Sequence, residues 1–336
     1  MRFGTVPVAE AEGALLAHSI KLEKGKLKKG LRLDAHHLDE LSAAGLAQVT
    51  VARLDPGDVT EDAAAERLAR ALVGAPEGAE EAAGLRVTRP FTGRVNLLAG
   101  GPGVVVLDAG RIDAANRVDP MITIATVPAF QQLSEGGMAA TIKIISYAVP
   151  DEAVTRACEL AQGAMRLAPA VLQSASLIIT EISGGPGRKG ADAVIDRLAR
   201  LDMTLAEERM VPHETAPLAE AVAAAPGDMV LILTGSATSD AHDVAPEALR
   251  RAGGRVEHFG MPVDPGNLLF LGELGGRPVI GLPGCARAPA LNGADWVLSR
   301  LACGIAVTGA DIAGMGVGGL LKEIPTRPMP RRGRKG

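Results

Sequence analysis

From residue 151 onward, short apolar runs alternate with segments that carry apolar residues at helical spacing. Strands are predicted at 175–182, 228–235 and 277–284. Helices are predicted at 151–167, 190–201, 216–226, 243–254 and 291–304. The predicted strands are almost wholly apolar, as buried parallel strands are, so the alternation predicts an α/β fold with a mostly parallel sheet covered by helices on both faces. We expect this domain to span residues 151–310.

The first 150 residues show two other patterns. Residues 1–84 predict an α+β module, in which Asp34 caps a helix at 34–45 and a second helix spans 58–74. The basic stretch 21–33 predicts a solvated hairpin or loop. Residues 85–150 predict a small β-rich module, because short β-like runs alternate there with Gly, Pro and Asn turns. Residues 311–336 are expected to form a basic tail, disordered at its Pro- and Gly-rich end.

Composition narrows the class of protein. Apolar residues make up 47% of the chain and aromatic residues only 2%, so Ala, Val, Leu and Ile must fill a sizeable core. The net charge of −4 argues against a nucleic-acid-binding role. The three cysteines are widely spaced without a CxxC motif, which favours a reducing cytoplasm over a disulfide framework or a structural zinc site. The start lacks a signal-peptide pattern, and no apolar run reaches the ~18 residues of a membrane span.

Three predicted strands end in unusual loops, at the place where open α/β sheets bind ligands. The first loop is TEISGGPGRKGAD, at 180–192. Its glycines let the backbone approach a ligand closely, and the helix that follows offers free N–H groups to an anion. Arg188 and Lys189 add positive charge. A flexible surface loop accounts for the same residues equally well.

The second loop is TGSATSDAHDVAPEA, at 234–248, which follows the apolar run DMVLIL. Its hydroxyl groups can donate to phosphate or pterin oxygens, and Gly235 permits a tight exit from the strand. Asp240 and Asp243 can accept hydrogen bonds or bind Mg²⁺, which prefers carboxylate and phosphate oxygens. Alternatively, Ser239, Asp240 or Asp243 caps the helix that follows.

The third loop is GLPGCARAP, at 281–289. Pro283 and Gly284 force a turn at the strand end, and Arg287 places a cation there. Cys285 has no histidine beside it in the sequence, which favours a small buried thiol over a nucleophile.

The order of these loops resembles the molybdopterin-binding superfamily, both its adenylyltransferases and its molybdotransferases. The adenylyltransferases carry a TGGTG…RDVTPEA stretch, with which TGSATSDAHDVAPEA aligns without a gap. The molybdotransferases carry PGKP and LPGNP loops, which correspond to PGNL at 265–268 and LPGCA at 282–286. EAEGALLAHSI at 10–20 is similar to the entry segment of the molybdotransferase. The middle segment, which contains ITIATVPAF and ATIKIISYAV, resembles a bacterial branch of molybdopterin-binding proteins. In that branch a cytidylyltransferase domain often follows.

The resemblance implies a three-layer α/β/α domain that binds molybdopterin, or its adenylated or metal-loaded form, in molybdenum cofactor biosynthesis. It implies cofactor-binding roles for Gly184, Gly185, Gly187, Thr234, Gly235, Ser236, Thr238, Pro265, Gly266, Pro283, Gly284 and Arg287. It implies catalytic roles for Asp192, Asp240 and Asp243, with Mg²⁺ held by Asp240 and Asp243. It also implies a homo-oligomer, with a cytidylyltransferase or another cofactor-biosynthesis protein as the expected partner.

Departures from the family patterns count against a standard transferase. Ser236 adds a side chain where the adenylyltransferases have glycine, and Cys285 replaces an asparagine. His242 and Asn267 replace an arginine and a lysine, which removes two cations from an anionic site. We therefore expect ligand binding; the alternatives are a divergent Mg-dependent adenylyl- or molybdotransferase, and a scaffold or regulatory protein that has lost the ligand. Loops separated by more than about 15 Å would exclude a common ligand site.

Overall fold

The computed structural model describes residues 1–23, 25–76, 79 and 81–321. The chain divides into two compact units. Unit 1 comprises residues 1–100, 105–129 and 135–167, and unit 2 comprises residues 101–104, 130–134 and those from 168 onward. The expected boundary at residue 84 falls inside unit 1, and the end of the basic tail, from residue 322, lies outside the described residues.

Short strands dominate the chain up to residue 168. In chain order they are β1 (Arg2–Pro7), β2 (Leu15–Leu16), β3 (Ile20–Leu22), β4 (Gly25–Leu27), β5 (Gln48–Arg53), β6 (Asp58–Thr60), β7 (Glu81–Ala82), β8 (Leu85–Val87), β9 (Arg94–Ala99), β10 (Gly103–Leu107), β11 (Ile122–Thr126), β12 (Gln132–Leu133), β13 (Met138–Ile144), β14 (Ala148–Pro150) and β15 (Met165–Ala168). The helices are α1 (Ala35–Ala43), α2 (Glu61–Val73), α3 (Ala109–Asn116) and α4 (Asp151–Ala161), with a 3-10 turn at Val8–Glu10.

Two antiparallel sheets organise unit 1. One has the strand order β1-β5-β2 and the other has the order β11-β13-β9-β8-β7. Alternate residues of β9 are buried, and α2 packs its Ala- and Leu-rich face against β9 and β13. Because α2 and β7 precede residue 84 while β8 and β9 follow it, the predicted 1–84 and 85–150 segments share one sheet and one helix.

Several predicted elements of unit 1 are present. α1 begins after Asp34, whose carboxylate accepts a hydrogen bond from His37 N. α2 ends at Gly74, which adopts a left-handed φ of 65°. The stretch predicted as a basic hairpin or loop contains the hairpin β3–β4.

Two features of the chain up to residue 168 differ from the elements that the sequence predicts. The helix predicted at 151–167 is wrong in its second half: α4 ends at Ala161, Gly163 turns the chain with a φ of 65°, and β15 follows. α3 lies within the segment predicted to be β-rich. Only Ile112 and Ala115 of that helix are buried, so it leaves little apolar periodicity in the sequence.

Strands and helices alternate after residue 168. The strands are β16 (Ser174–Glu181), β17 (Thr204–Pro212), β18 (Met229–Leu233), β19 (Arg255–Phe259), β20 (Phe270–Leu274) and β21 (Arg277–Leu282). The helices are α5 (Ala191–Ala199), α6 (Thr215–Ala224), α7 (Val244–Arg251), α8 (Gly293–Ala302) and α9 (Gly309–Ala313), with 3-10 turns at Gly284–Arg287 and Gly314–Gly316. α9 crosses the expected domain end at residue 310. No helix in the described parts of the chain is long and apolar enough to cross a membrane.

The strands of unit 2 form one sheet in the order β17-β16-β18-β21-β20-β19. The first four strands run parallel to one another. β20 runs antiparallel between β21 and the outer strand β19. Ile178, Val230 and Val279 pack against α6 and α7 on one face. The residues between them in the strands, such as Leu231 and Ile280, are fully buried on the other face, where α5 and α8 pack. The predicted α/β class, with a largely parallel sheet covered on both faces, is confirmed.

The outer strands of this sheet are absent from the sequence prediction. β17 reads TLAEERMVP and β19 reads RVEHF, so both carry charge where the inner strands are apolar. Charged side chains on edge strands prevent pairing with another sheet, and the same charges hide these strands from a search for apolar runs. β20 carries Gly272 at its centre, where a side chain would collide with Leu249 and with the carbonyl of Arg255.

Asp228 ties the start of β16 to the start of β18. One of its carboxylate oxygens accepts hydrogen bonds from Gln173 N, Ser174 N and Ser174 Oγ, each at 3.0 Å. These bonds, the one from Gln173 N first, hold the pKa of Asp228 below its ordinary value of 3.8.

Replacing Asp228 with alanine removes all three bonds. Because the folded-state pKa is depressed, their contribution is present above the unfolded-state value near 3.8 and is lost as the pH falls through the folded-state value. The difference in free energy of unfolding between wild type and Asp228→Ala should therefore be constant near neutral pH and shrink in acid, as measured by urea denaturation at several pH values. The exposed Asp196→Ala is the control. A difference that does not change in acid would contradict the role of the carboxylate.

Candidate functional site

The loops singled out in the sequence leave the same edge of the unit 2 sheet. Ile179 of β16 pairs with Leu233 of β18, which pairs with Leu282 of β21, so β18 and β21 end level with one another and β16 runs two residues further, to Glu181. Phe270 pairs with Gly281, so the connection between β19 and β20 reaches the same edge. We name these segments the glycine loop (182–190), the threonine loop (234–243), the arginine loop (283–292) and the proline loop (260–269).

Arg287 joins three of the loops. Its Nη1 donates to the carbonyl oxygens of Gly187 and Lys189, at 2.9 and 2.5 Å, and its Nη2 donates to that of Thr234, at 3.0 Å. Burial lowers the pKa of this guanidinium from its ordinary value. The glycine, threonine and arginine loops therefore meet through direct hydrogen bonds, well within the ~15 Å that a common site allows. The guanidinium predicted to face a ligand faces backbone carbonyls instead.

The start of the threonine loop is fixed against β16. Gly235 N donates to Thr180 Oγ1 at 2.9 Å, and Thr180 Oγ1 lies 2.8 Å from His213 Nδ1. Thr180 is fully buried, and His213 Nδ1 provides the second hydrogen-bond partner of its hydroxyl group, with the tautomer of the histidine setting which of the two donates. A Cβ at residue 235 would lie 2.7 Å from the Thr180 carbonyl oxygen, so this position requires glycine.

The glycine loop leads into α5 without a side-chain cap. Gly190 is the N-cap, with a φ of 84°, and a Cβ there would lie 2.5 Å from both Cβ and O of Arg287. The first turn of α5 therefore presents backbone N–H groups without a side-chain acceptor, an arrangement that favours an anion. Gly184 and Gly185 are exposed, and Gly187 is half-buried.

The charged side chains near this loop differ in their partners. Arg188 makes two parallel hydrogen bonds to Glu208, at 2.6 and 3.0 Å, and an ion pair at 3.0 Å with Asp192. Asp192, one of the predicted catalytic acids, lies in the first turn of α5 with its side chain 79% exposed. The Lys189 side chain is exposed and makes no hydrogen bond or ion pair to the described residues.

The two aspartates of the threonine loop have different surroundings. Asp243 is the N-cap of α7: its Oδ1 accepts from Val244 N at 2.7 Å and its Oδ2 accepts from Ser239 N at 3.0 Å. Asp240 is exposed and accepts from His242 N through Oδ1, at 2.8 Å. The capping alternative is thus correct for Asp243, whereas Asp240 Oδ2 makes no hydrogen bond within the described chain.

The hydroxyl groups of the threonine loop differ in burial. Thr234 is buried and donates to the Ser236 carbonyl oxygen at 2.6 Å, so it closes the loop on itself. Thr238 is buried too, with its Oγ1 3.5 Å from that of Thr234. The Ser236 side chain is exposed at the loop surface.

The proline loop supports the start of α8. Gly293 N donates to the Pro265 carbonyl oxygen at 2.8 Å, and a Cβ at Gly266 would lie 2.8 Å from Gly293 N. Pro265 and Gly266 are both buried. In the arginine loop Pro283 is buried and Gly284 is exposed, so Gly284 is the member of this predicted pair at the surface.

Arg197 anchors the arginine loop from beneath, and the sequence analysis misses it. The side chain is 4% exposed, and all five of its N–H groups are bonded. The acceptors are Asp295 Oδ1 and the carbonyl oxygens of Ala193, Ala286, Ala288 and Ala290, at 2.5 to 3.1 Å. The available signal is an arginine between Val194 and Leu198 on the apolar face of α5.

Two further observations bear on the site. Within the described residues, no group of three or more His, Cys, Asp or Glu side chains is placed to hold a metal ion. A cavity of about 410 Å³ in unit 2 is lined by residues such as Leu172, Leu201 and Thr204, at the opposite edge of the sheet. Asp202 is its one charged lining residue, so its lining offers no cation to an anionic ligand.

Comparison with known families bears on the same loops. Residues 184–301 match the family described as "Probable molybdopterin binding domain". The match agrees with the superfamily that the loop order indicates, and it begins in the glycine loop and ends in α8. Residues 5–53 match a domain of unknown function, DUF8806. No curated protein matches the chain.

Two solved structures are similar to this chain, both molybdopterin biosynthesis MoeA proteins from Pyrococcus horikoshii. The first is 13% identical, with 90% of this chain and 75% of that chain covered and a TM-score of 0.32. The second is 12% identical, with 84% and 69% covered and a TM-score of 0.22. Both scores are below 0.5, so these likenesses support no inference about this chain.

Gly235 and Gly284 form a matched pair for testing the close contact between residue 235 and the Thr180 carbonyl oxygen. Both glycines lie within the stretch that matches the molybdopterin-binding family. Gly235→Ala should lower the free energy of unfolding by about 1–3 kcal/mol, because its Cβ would press on the Thr180 carbonyl. Gly284→Ala should stay within about 0.5 kcal/mol, because nothing lies within 4 Å of the added Cβ. Urea denaturation of both variants measures the difference. Equal effects would show that Gly235 is not tightly packed.

The Arg197 anchor predicts a larger loss. Arg197→Met leaves the largely buried Asp295 without its cation and removes the side-chain donor from the carbonyls of Ala286, Ala288 and Ala290, so it should cost about 3–5 kcal/mol of unfolding free energy. Arg200→Met, at an exposed position just past α5, should change stability by less than about 0.5 kcal/mol. Thermal and chemical denaturation would compare them; a small loss in Arg197→Met would refute the anchoring role.

Proposed function

We propose that unit 2 binds molybdopterin, or an adenylated or metal-loaded form of it, and acts in molybdenum cofactor biosynthesis. The observation that carries the proposal is the set of hydrogen bonds from Arg287 to Gly187, Lys189 and Thr234. They bring the three loops together inside the stretch matched by the molybdopterin-binding family. This convergence favours a ligand site over a scaffold that has kept only the fold.

The chemistry of the loops fits the ligand. The phosphate group of molybdopterin is an anion, and the uncapped first turn of α5 with the neighbouring Lys189 offers N–H donors and positive charge. Gly184, Gly185 and Gly284 are exposed, so backbone amides can approach the ligand without side chains between them. Molybdopterin supplies the dithiolene that holds molybdenum.

We place any Mg²⁺ at Asp240 rather than at Asp243. Both carboxylate oxygens of Asp243 already accept backbone N–H groups, whereas Asp240 is exposed and Oδ2 has no acceptor role within the described chain. Mg²⁺ usually takes one or two carboxylates and completes its shell with phosphate oxygens and water. Adenylyl or molybdate transfer at these loops would require such a metal clamp, but binding does not.

The first test is the content of the purified protein. The chain, produced in a molybdenum-replete host, should carry a pterin that is released, oxidised and detected by its fluorescence. Gly235→Ala should lose most of this pterin, because it disturbs the threonine loop, whereas Gly4→Ala in unit 1, where nothing lies within 4 Å of the added Cβ, should keep it. Absence of pterin from the wild type, together with no binding on anaerobic titration with molybdopterin, would refute the proposal.

The two aspartates predict different results in that titration. Asp243→Ala should weaken molybdopterin binding by roughly tenfold or more, with or without Mg²⁺, since it releases Ser239 N and Val244 N and loosens the loop. Asp240→Ala should weaken binding only when Mg²⁺ is present. Titrations with added Mg²⁺ and with a chelator separate the two effects. Mg²⁺-dependent loss in Asp243→Ala alone would reverse the assignment.

A further inference from the structure

Three cations lie where the loops meet, and Arg287 is the most constrained of them. Both of its terminal nitrogens donate to carbonyl oxygens, on the glycine loop through Nη1 and on the threonine loop through Nη2. A phosphate that drew Arg287 away would leave these carbonyls without a donor, at the cost of several charge-assisted hydrogen bonds. Arg287 is therefore better suited to hold the loops than to bind the ligand.

Arg188 is also occupied. Its hydrogen bonds and charge interactions with Glu208 and Asp192, the Glu208 bonds first, raise its pKa. The three side chains together carry a net charge of −1, because one guanidinium faces two carboxylates. A phosphate brought to Arg188 would meet those carboxylates, which repel it.

Lys189, the residue after Arg188, has different contacts from the two arginines. Its carbonyl oxygen accepts from Arg287, so the backbone that bears its side chain is held against the arginine loop. Its ammonium group makes no hydrogen bond or ion pair to the described residues. Gly190 follows it and begins α5, so the lysine precedes the uncapped N–H groups directly.

We propose that these cations divide two tasks: Arg287 and Arg188 position the loops, and Lys189 contacts the phosphate of the bound ligand. The proposal rests on the proposed function, since it names the residue that recognises the anionic end of molybdopterin. It assigns recognition to a residue that the motif resemblance does not single out, and it makes Arg287 a positioning residue.

The binding test is anaerobic titration with molybdopterin at low and high sodium chloride. Lys189→Met should weaken binding roughly tenfold and flatten its salt dependence, because a direct ion pair with the phosphate is lost. Lys189→Arg should restore both. Arg200→Met removes the same charge at the far end of α5 and should change neither.

Arg287 should give the opposite pattern. Arg287→Lys keeps the charge but cannot span acceptors on two sides, so it should weaken binding by about as much as Arg287→Gln, and both should keep the wild-type salt dependence. Without any ligand, hydrogen exchange in the glycine and threonine loops should become faster in both Arg287 variants and stay unchanged in Lys189→Met.

The outcomes separate the two proposals. A wild type that binds no molybdopterin refutes the proposed function, whatever the variants do. If the wild type binds, then an Arg287→Lys that retains affinity while Arg287→Gln loses both affinity and salt dependence would show that Arg287 is the ligand cation. Unchanged affinity in Lys189→Met would exclude Lys189 from phosphate recognition.

Discussion

The common edge at which β16, β18 and β21 end is the constraint on which the candidate site depends. These strands pair in parallel with a fixed register, which aligns the buried residues Ile179, Leu233 and Leu282 within two residues of the strand ends. The loops that follow are then forced to lie side by side. Loops without regular structure have carbonyl oxygens that no sheet or helix satisfies. Where such loops pack together, these oxygens lose contact with water and need hydrogen-bond donors from the protein.

Two arginines donate hydrogen bonds to these carbonyl oxygens. Arg197 lies beneath the arginine loop and bonds its carbonyls at residues 286, 288 and 290, and Arg287 extends from the same loop to its two neighbours. The planar guanidinium suits this work because its donors point in several fixed directions. Asp295 balances the charge of Arg197 and also accepts a hydrogen bond from Asn292 N in the capping box of α8, so Arg197, the arginine loop and α8 are linked.

The parts of this arrangement that are local in sequence are predictable. The apolar runs give the inner strands, Gly235 marks a tight strand exit, and the spacing of Asp243 before α7 allows its capping role. The edge strands β17 and β19 are hidden by their charges, and the glycine at 163 ends α4 earlier than its apolar spacing suggests. The partners of Arg197 and Arg287 cannot be inferred from the sequence, because backbone carbonyls carry no sequence signature. Arg287 lies at the edge of the sheet that the sequence predicts, but its acceptors belong to distant segments.

The charged edges of the unit 2 sheet bear on how copies of this chain could associate. β17 presents Glu207, Glu208 and Arg209, and β19 presents Arg255 and Glu257, several of them engaged in ion pairs with neighbours. Joining two copies edge to edge would desolvate these groups and bring like charges into opposition across a continuous intermolecular sheet. Any assembly of this protein is therefore expected to avoid the two outer strands of this sheet.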